Sequence, residues 1–287
     1  MTQTDLTSEY SCSIHSKNPE KAGDEFDAKV GKIYRDLKDS AIERQEDIPY
    51  KKNGNLTKVD IWGPDNSEKV FIMIHGGYWL IGDRKKCLAV CLVSHKLGYT
   101  VVSVGYDYAN KDHSLSETIQ EALNGVQFVL DRFQNAKTIV IGGHSVGAHL
   151  AFQGKFPYIK RNLFVFSEAV SRIHDPRISG VFLSAGIYKL QELVHTTYGH
   201  DLSLTPEEAD KCSCDYELLK TVRFPILLAN CRIESPKLFQ QNVELSKLVE
   251  NVQYKEYANE DHFTILTELV NEDSAVYADF FNFLYSI

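Results

Sequence analysis

The chain has 287 residues, a length that allows one large domain or two small ones. Its 43% hydrophobic and 24% charged residues are ordinary for a globular protein and exclude a mainly disordered chain. The 39 acidic residues outnumber the 31 basic ones and give a net charge of -8, which argues against nucleic acid or an anionic membrane as partner. The polar N-terminus lacks a signal-like apolar core, and no apolar run approaches the ~20 residues of a membrane span, so a cytoplasmic protein is expected.

Six cysteines are too few for a disulfide scaffold. Cys212 and Cys214 are separated by one residue, a spacing that suits neither a disulfide nor a structural zinc pair. We therefore expect core or surface thiols, with no metal and no organic cofactor.

The order of predicted elements indicates an α/β fold. A helical pattern covers Phe26–Ile42 in the polar region 1–55, and from residue 56 short apolar runs alternate with helical stretches. Strands are predicted at Lys58–Trp62, Val70–Ile74, Thr100–Val104, Thr138–Ile141, Gly180–Ser184, Pro225–Ala229 and Gln253–Tyr257. Helices are predicted at Arg84–Leu97, at Leu115–Phe133, from about Ser145, at Pro236–Val249 and at Ser274–Tyr285. The pattern predicts one domain over residues 1–287: a mostly parallel central sheet with helices on both faces, and residues 1–55 as an N-terminal extension packed on it.

The segment 186–223 interrupts this alternation because it is long, polar and mixed in composition. Such an insertion often covers the site of an α/β enzyme as a cap or lid. An ordinary pair of surface helices is the alternative, and the sequence leaves both open.

The first chemical motif is Gly143-His144-Ser145-Val146-Gly147, which lies between a predicted strand and a predicted helix. This is the G-x-S-x-G pattern in the strand–turn–helix context that exposes a nucleophilic serine at the edge of a sheet. We therefore predict Ser145 as the nucleophile. The rings of His144 and His149 flank it along the chain and are expected to point elsewhere.

The second motif is His75-Gly76-Gly77-Tyr78-Trp79, directly after the strand Val70–Ile74. Adjacent glycines leave backbone N–H groups unobstructed, so Gly76 and Gly77, with the N–H of Val146, predict an oxyanion hole. A tight turn without chemistry is the alternative for this motif taken alone.

A base and its orienting acid should follow the serine in the order Ser, Asp/Glu, His. Only His262 follows the last predicted strand, and Glu234 is the one carboxylate in the loop after the preceding strand. Asp261 is adjacent to His262, and neighbouring side chains in a loop rarely turn onto each other. We predict a Ser145–Glu234–His262 triad, in which His262 takes the serine proton and Glu234 fixes the imidazole tautomer.

These motifs together resemble the kynurenine formamidases (arylformamidases), which commonly read HGGYW and GHSAGAHLA. Five further stretches resemble the family's YSPS, VDIY, SGVYDL, DSP and DHF: Tyr10–Ser13, Val59–Trp62, Ala185–Leu190, Glu234–Pro236 and Asp261–Phe263. The resemblance runs in order from about residue 9 to the C-terminus. It implies hydrolysis of N-formyl-L-kynurenine to L-kynurenine and formate, in tryptophan catabolism, by a serine hydrolase of the α/β-hydrolase fold without metal or organic cofactor.

The sequence departs from the family pattern at four places. Glu234 stands where the family usually has Asp, Val146 replaces Ala, Cys12 replaces the proline of YSPS, and Cys212–Cys214 replaces NSP. The longer acid and the β-branched valine are compatible with transfer of a formyl group, the smallest acyl group. These departures bear on substrate tuning more than on catalysis.

On the leaving-group side, Tyr78, Trp79 and Tyr188 are candidate substrate contacts, although aromatic residues after a sheet edge are also common core residues. A small-molecule substrate is the expected partner, and the oligomeric state stays open, a homodimer included. Two other functions remain: a general short-chain carboxylesterase on the same fold, and a non-catalytic binding protein, which the complete set of Ser, Glu, His and Gly-Gly disfavours.

Overall fold

A twisted, mostly parallel sheet forms the centre of the molecule. The computed structural model describes residues 3–155, 175–217, 222–248 and 251–287. Within these ranges eight strands pair in the order β1-β2-β4-β3-β5-β6-β7-β8. They are β1 Arg44–Pro49, β2 Lys58–Trp62, β3 Lys69–Ile74, β4 Thr100–Val104, β5 Thr138–His144, β6 Ile178–Ser184, β7 Ile226–Ile233 and β8 Val252–Asp261. Only the pairs β1–β2 and β2–β4 are antiparallel.

Helices cover both faces of this sheet. The α-helices are α1 Gln3–Glu9, α2 Ala22–Asp39, α3 Cys91–Lys96, α4 Leu115–Arg132, α5 Val146–Lys155, α6 Thr197–Asp201, α7 Pro206–Cys212, α8 Pro236–Ser246, α9 Thr264–Thr267 and α10 Ala275–Tyr285. Short 3-10 turns lie at Arg84–Val90, Glu192–His195 and Glu268–Val270.

Strand β3 illustrates why the central strands are apolar throughout. Val70, Ile72 and Ile74 contribute to the core under α4, α5 and α8, whereas Phe71 and Met73 contribute to the core under α3 and α10. Successive side chains of a strand point to opposite faces, so a strand buried on both faces needs an apolar residue at every position. The predicted fold class, a mostly parallel α/β sheet with helices on both faces, is confirmed.

Two elements differ from the sequence predictions. Strand β1 was not predicted, because it lies at the edge of the sheet with exposed side chains, and its sequence Arg44–Pro49 is therefore mostly polar. The helix predicted at Arg84–Leu97 divides into the 3-10 turn and α3, with a kink at Cys87. The segment 186–223 contains α6, α7 and a 3-10 turn among its described residues. No helix of the described ranges is both long and apolar enough to span a bilayer.

Strand β3 and helix α5 make a very close backbone contact at the serine motif. A Cβ atom at Gly147 would lie 2.1 Å from the carbonyl oxygen of Ile74 and 2.8 Å from that of His75. Only glycine therefore allows the first turn of α5 to approach the end of β3 so closely.

We expect Gly147→Ala to lower the free energy of unfolding by about 2–3 kcal/mol, because the added methyl group forces two backbone segments apart. Urea denaturation measures this change. Gly23→Ala is the matched control, since a Cβ at Gly23 meets nothing within 4 Å. Equal midpoints for the two variants would contradict the assigned contact.

Candidate active site

Ser145 occupies a strained turn at the carboxyl end of the sheet. It lies between the last residue of β5, His144, and the first residue of α5, Val146, and its φ angle is 59°. A non-glycine residue in this left-handed region costs roughly 1–2 kcal/mol, which the surrounding structure must offset. The Ser145 N–H donates to the Ser184 carbonyl at 2.8 Å, and this bond anchors the turn to β6.

His262 is paired with Glu234. Glu234 follows β7, His262 follows β8, and Nδ1 of the ring lies 2.6 Å from Oε2 of the carboxylate. Because Nδ1–H donates to this carboxylate, Nε2 keeps the lone pair that a general base needs. The backbone N–H of Ser235 and the thiol of Cys231 also donate to Glu234, at 2.7 Å and 3.3 Å, and fix its orientation.

Asp261, the other acid near His262, has a structural task. Its carboxylate accepts backbone N–H groups of Lys17, Phe263 and Thr264 at 2.7–3.0 Å. These hydrogen bonds outweigh burial and lower the pKa of Asp261. The structure thus pairs the histidine with Glu234, while Asp261 holds the loop that carries His262.

The electrostatic environment favours protonation of His262. Burial of the ring opposes the charged form, but the hydrogen-bonded Glu234 carboxylate outweighs burial and raises the pKa of His262 well above its ordinary value of 6.5. Burial also raises the pKa of the Cys12 thiol above 9.0. Cys12 is therefore uncharged at neutral pH, and the Glu234 carboxylate is the anion that faces the ring.

The glycine motif lies beside Ser145. A Cβ at Gly76 would come within 3.0 Å of the Ser145 Cβ, so the Gly76 backbone packs directly against the serine. Gly77 has a φ of 116°, and a Cβ there would lie 2.0 Å from the Ile81 carbonyl oxygen. The N–H of Val146, at the first position of α5, has no acceptor within its own helix. Gly76 and Val146, two of the three predicted oxyanion-hole residues, thus adjoin the serine, and Gly77 follows Gly76 in the same loop.

A cavity of about 390 Å³ opens onto these groups. Ser145, His262, Gly76 and Gly77 contribute to its wall. The remaining wall comes from the N-terminal region, the glycine loop, the 3-10 turn after β3, the end of β5, α6, the loop after β8 and α9: Cys12, Ser13, Gly23, Phe26, Asp27, His75, Tyr78, Leu80, Ile81, Gly82, Asp83, Lys86, Cys87, His144, Tyr198, Asp201, Phe263 and Leu266.

Of the three predicted substrate contacts, only Tyr78 lies on this wall, where its ring stacks on Tyr198 with centroids 4.0 Å apart. Trp79 is fully buried. The left-handed backbone at Tyr78 and Trp79 turns the loop back, and the Trp79 indole therefore packs edge-on against the ring of His149. Tyr188 is also fully buried and donates its hydroxyl to Asn242 at 3.3 Å. The predicted substrate contacts of Trp79 and Tyr188 are therefore wrong for this cavity: both residues are core residues.

The other histidines near the serine are neutral and structural. Burial lowers the pKa of His144 to about 3 and that of His149 to about 4. His149 points away, as expected, and donates to the Cys212 carbonyl at 2.7 Å. The ring of His144 does not: it lies 4.7 Å from the His262 ring and donates to the His262 carbonyl at 2.7 Å. His144 is thus a positioning residue that the sequence analysis missed.

The N-terminal region also contributes more to the site than its sequence indicated. Besides supplying wall residues, it accepts a hydrogen bond from the Tyr78 hydroxyl through the Tyr10 carbonyl. It is tied to α6 by a hydrogen bond from the Thr197 N–H to the Thr7 hydroxyl at 3.0 Å. The resemblance at Tyr10–Ser13 was the one signal in the sequence for this role.

Comparisons with known proteins agree with this geometry. The family model described as BD-FAE matches residues 59–191. A kynurenine formamidase of Salmo salar is 30% identical over 241 residues, which are 79% of this chain and 77% of the relative. A kynurenine formamidase of Danio rerio is 29% identical over 247 residues, which are 82% of this chain and 80% of the relative. The crystal structure of a candidate thioesterase from Silicibacter sp. superimposes with a TM-score of 0.77 at 20% identity, covering 96% of this chain and 98% of the other.

Three features define an α/β-hydrolase: the order of the strands in the sheet, a serine on a strained turn after β5, and a histidine–carboxylate pair after β7 and β8. Within this class, the identity to the Salmo salar relative over most of both chains assigns the particular group. The chain belongs to the kynurenine formamidase family.

We expect hydrolytic kcat/KM to rise with pH as His262 loses its proton, because only the neutral ring accepts a proton from the serine. Since the Glu234 carboxylate raises the pKa of His262 above 6.5, the half-maximal value should fall above pH 6.5. Glu234→Gln should shift this midpoint to lower pH and reduce kcat by about 10³–10⁴-fold.

Asp261→Asn is the control for this pH profile. It removes a carboxylate next to His262 in sequence but not the one that faces the ring, so the midpoint should stay in place. Equal shifts in both variants would argue against Glu234 as the partner of the histidine.

Proposed function

We propose that this protein is a serine hydrolase that converts N-formyl-L-kynurenine to L-kynurenine and formate, a step of tryptophan breakdown. The observation that carries the proposal is that Ser145, on its strained turn, shares one cavity with His262 while Glu234 holds the opposite nitrogen of the ring. Membership of the kynurenine formamidase family supports the choice of substrate.

In the proposed mechanism, Nε2 of His262 takes the proton of Ser145 as its hydroxyl oxygen attacks the formyl carbon. Glu234 stabilises the imidazolium that forms. The N–H groups of Gly76, Gly77 and Val146 stabilise the negative charge on the tetrahedral oxygen. His262 then protonates the aromatic amine, which leaves as kynurenine, and a water molecule activated by the same ring releases formate from Ser145.

The form of the cavity agrees with this substrate. At about 390 Å³ it lies in the range of small-molecule sites. Gly76, which has no side chain, packs directly against the serine. Phe26, Tyr78 and Phe263 offer apolar surface for the aromatic leaving group.

We expect efficient turnover of N-formyl-L-kynurenine, with kcat/KM well above that for a short-chain p-nitrophenyl ester. Ser145→Ala should reduce both activities by about 10⁶-fold in kcat, because the nucleophile is lost. Steady-state kinetics of both substrates, with the variant as blank, tests this.

The two alternatives to a formamidase give different results in the same assay. Ester hydrolysis alone, lost in Ser145→Ala, would leave the mechanism in place and replace the proposed substrate by that of a carboxylesterase. Absence of both activities, with no labelling of Ser145 by an organophosphorus reagent, would indicate a binding protein.

Charged groups on the cavity wall suit the amino-acid end of this substrate. Lys86 lies beside Asp27, with Nζ 2.6 Å from Oδ1, and both side chains keep about half of their surface exposed. Asp83 and Asp201 are on the same wall. We propose that Lys86 binds the α-carboxylate and that the acidic residues receive the α-ammonium group.

We expect Lys86→Met to raise KM for N-formyl-L-kynurenine about tenfold and to leave kcat nearly unchanged, since a charge contact distant from the reacting atoms contributes about equally to substrate and transition-state binding. The uncharged ester p-nitrophenyl acetate is the matched control, and its kcat/KM should change little. An equal loss for both substrates would show that Lys86 supports the structure rather than substrate recognition.

A further inference from the structure

The environment of the histidine–glutamate pair contains a third group that the proposed reaction does not use. The Sγ atom of Cys12, a carboxylate oxygen of Glu234 and a ring nitrogen of His262 all lie within 4.8 Å of one another. All three residues are buried, and Cys12 and His262 also contribute to the cavity wall. Cysteine, histidine and carboxylate are the ligand types that zinc takes in proteins.

We infer that Cys12, Glu234 and His262 form a binding site for a thiophilic divalent cation such as Zn²⁺, and that the bound ion reversibly inhibits the hydrolase. The inhibition part of this inference rests on the proposed function, whereas the binding part does not.

The spacing of the three groups fits this ion. Zinc bonds of about 2.0–2.3 Å in a tetrahedral arrangement set ligand atoms roughly 3.3–3.7 Å apart. The three ligand atoms lie within 4.8 Å of one another, and Nδ1 of His262 lies 2.6 Å from Oε2 of Glu234. Shortening the longest separations and lengthening this short one, each by about 1 Å, gives the spacing that zinc needs. The cavity provides the route of entry and leaves the fourth position open to water.

The charges balance once the thiol is deprotonated. Cys12 enters as a neutral thiol, transfers its proton to bulk water and binds as a thiolate. With the Glu234 carboxylate, the two anionic ligands neutralise the dication, so the buried site carries no net charge. Because the thiol must lose its proton to bind the ion, the zinc affinity should rise with pH.

Metal binding through Nδ1 removes the base. Glu234 faces Nδ1, so an ion that binds this carboxylate takes the lone pair of Nδ1 and not that of Nε2. The single ring proton of neutral His262 then resides on Nε2. Nε2 therefore has no lone pair for Ser145, so kcat falls while the substrate side of the cavity is unchanged.

The test compares the full chain with Cys12→Ala and Cys12→Ser. Equilibrium dialysis against ZnCl₂ should give one ion per unmodified chain, and Co²⁺ should produce a thiolate-to-metal charge-transfer band. In both variants the zinc affinity should fall at least about 10–100-fold and the cobalt band should vanish. Zinc inhibition, expressed relative to the zinc-free rate of each protein, should weaken in parallel and be reversed by EDTA.

Cys231→Ala is the matched control. Its thiol lies 3.3 Å from Glu234 but outside the three-residue cluster, so this variant should keep the metal site and the cobalt band. Absence of zinc binding by the unmodified chain, or equal affinity in the Cys12 variants, would overturn the inference. Cobalt binding through Cys12 without loss of hydrolysis would overturn the inhibition part alone. Because dialysis and the cobalt spectrum need no substrate, failure of the metal site is distinguishable from failure of the proposed formamidase reaction.

Discussion

The site depends on the close approach of two backbone segments at the carboxyl edge of the sheet. The first turn of α5 contacts the end of β3 at Gly147, where even a methyl group would overlap the Ile74 carbonyl. This single contact fixes the distance between the serine turn and the glycine loop, since one follows β5 and the other follows β3. Ser145, the N–H of Val146 and the Gly76–Gly77 backbone therefore belong to one rigid junction. Such rigidity is what an oxyanion hole requires, because its donors must be in place before charge develops.

Around this junction, the polar groups that face each ring give chemically identical side chains different tasks. His75 and His144 lose their basicity through desolvation and serve as neutral hydrogen-bonding groups. His262 is just as buried, but the carboxylate of Glu234 reverses the sign of the shift. His144 adds a mechanical link, since its ring holds the carbonyl of the residue that acts as base. The positions of the nearby carbonyls and carboxylates, rather than the residue type, determine which histidine can take a proton.

The central strands were predictable from sequence because burial on both faces demands an apolar residue at each position, as in Val70–Ile74. The three proposed triad residues were predictable because chain order and the ends of parallel strands bring such groups to one edge. Strand β1 was missed because edge strands tolerate polar residues. Trp79 and Tyr188 were predicted as substrate contacts because the sequence of an aromatic residue after a strand is the same whether its side chain turns toward the cavity or toward the core. The backbone φ at Trp79, which the sequence does not reveal, decides its direction.

Two segments that are far apart in the sequence meet beside the cavity. The Lys17 N–H donates to the Asp261 carboxylate across 244 residues of sequence, and Cys12 and His262 share the same cavity. Residues early in this sequence thus find their partners late in it. Such a long loop closure is entropically unfavourable and comes late in folding, after the sheet between the two ends exists. A folding chain can therefore build most of the sheet without building the pocket, which is complete only once Cys12 and His262 have come together.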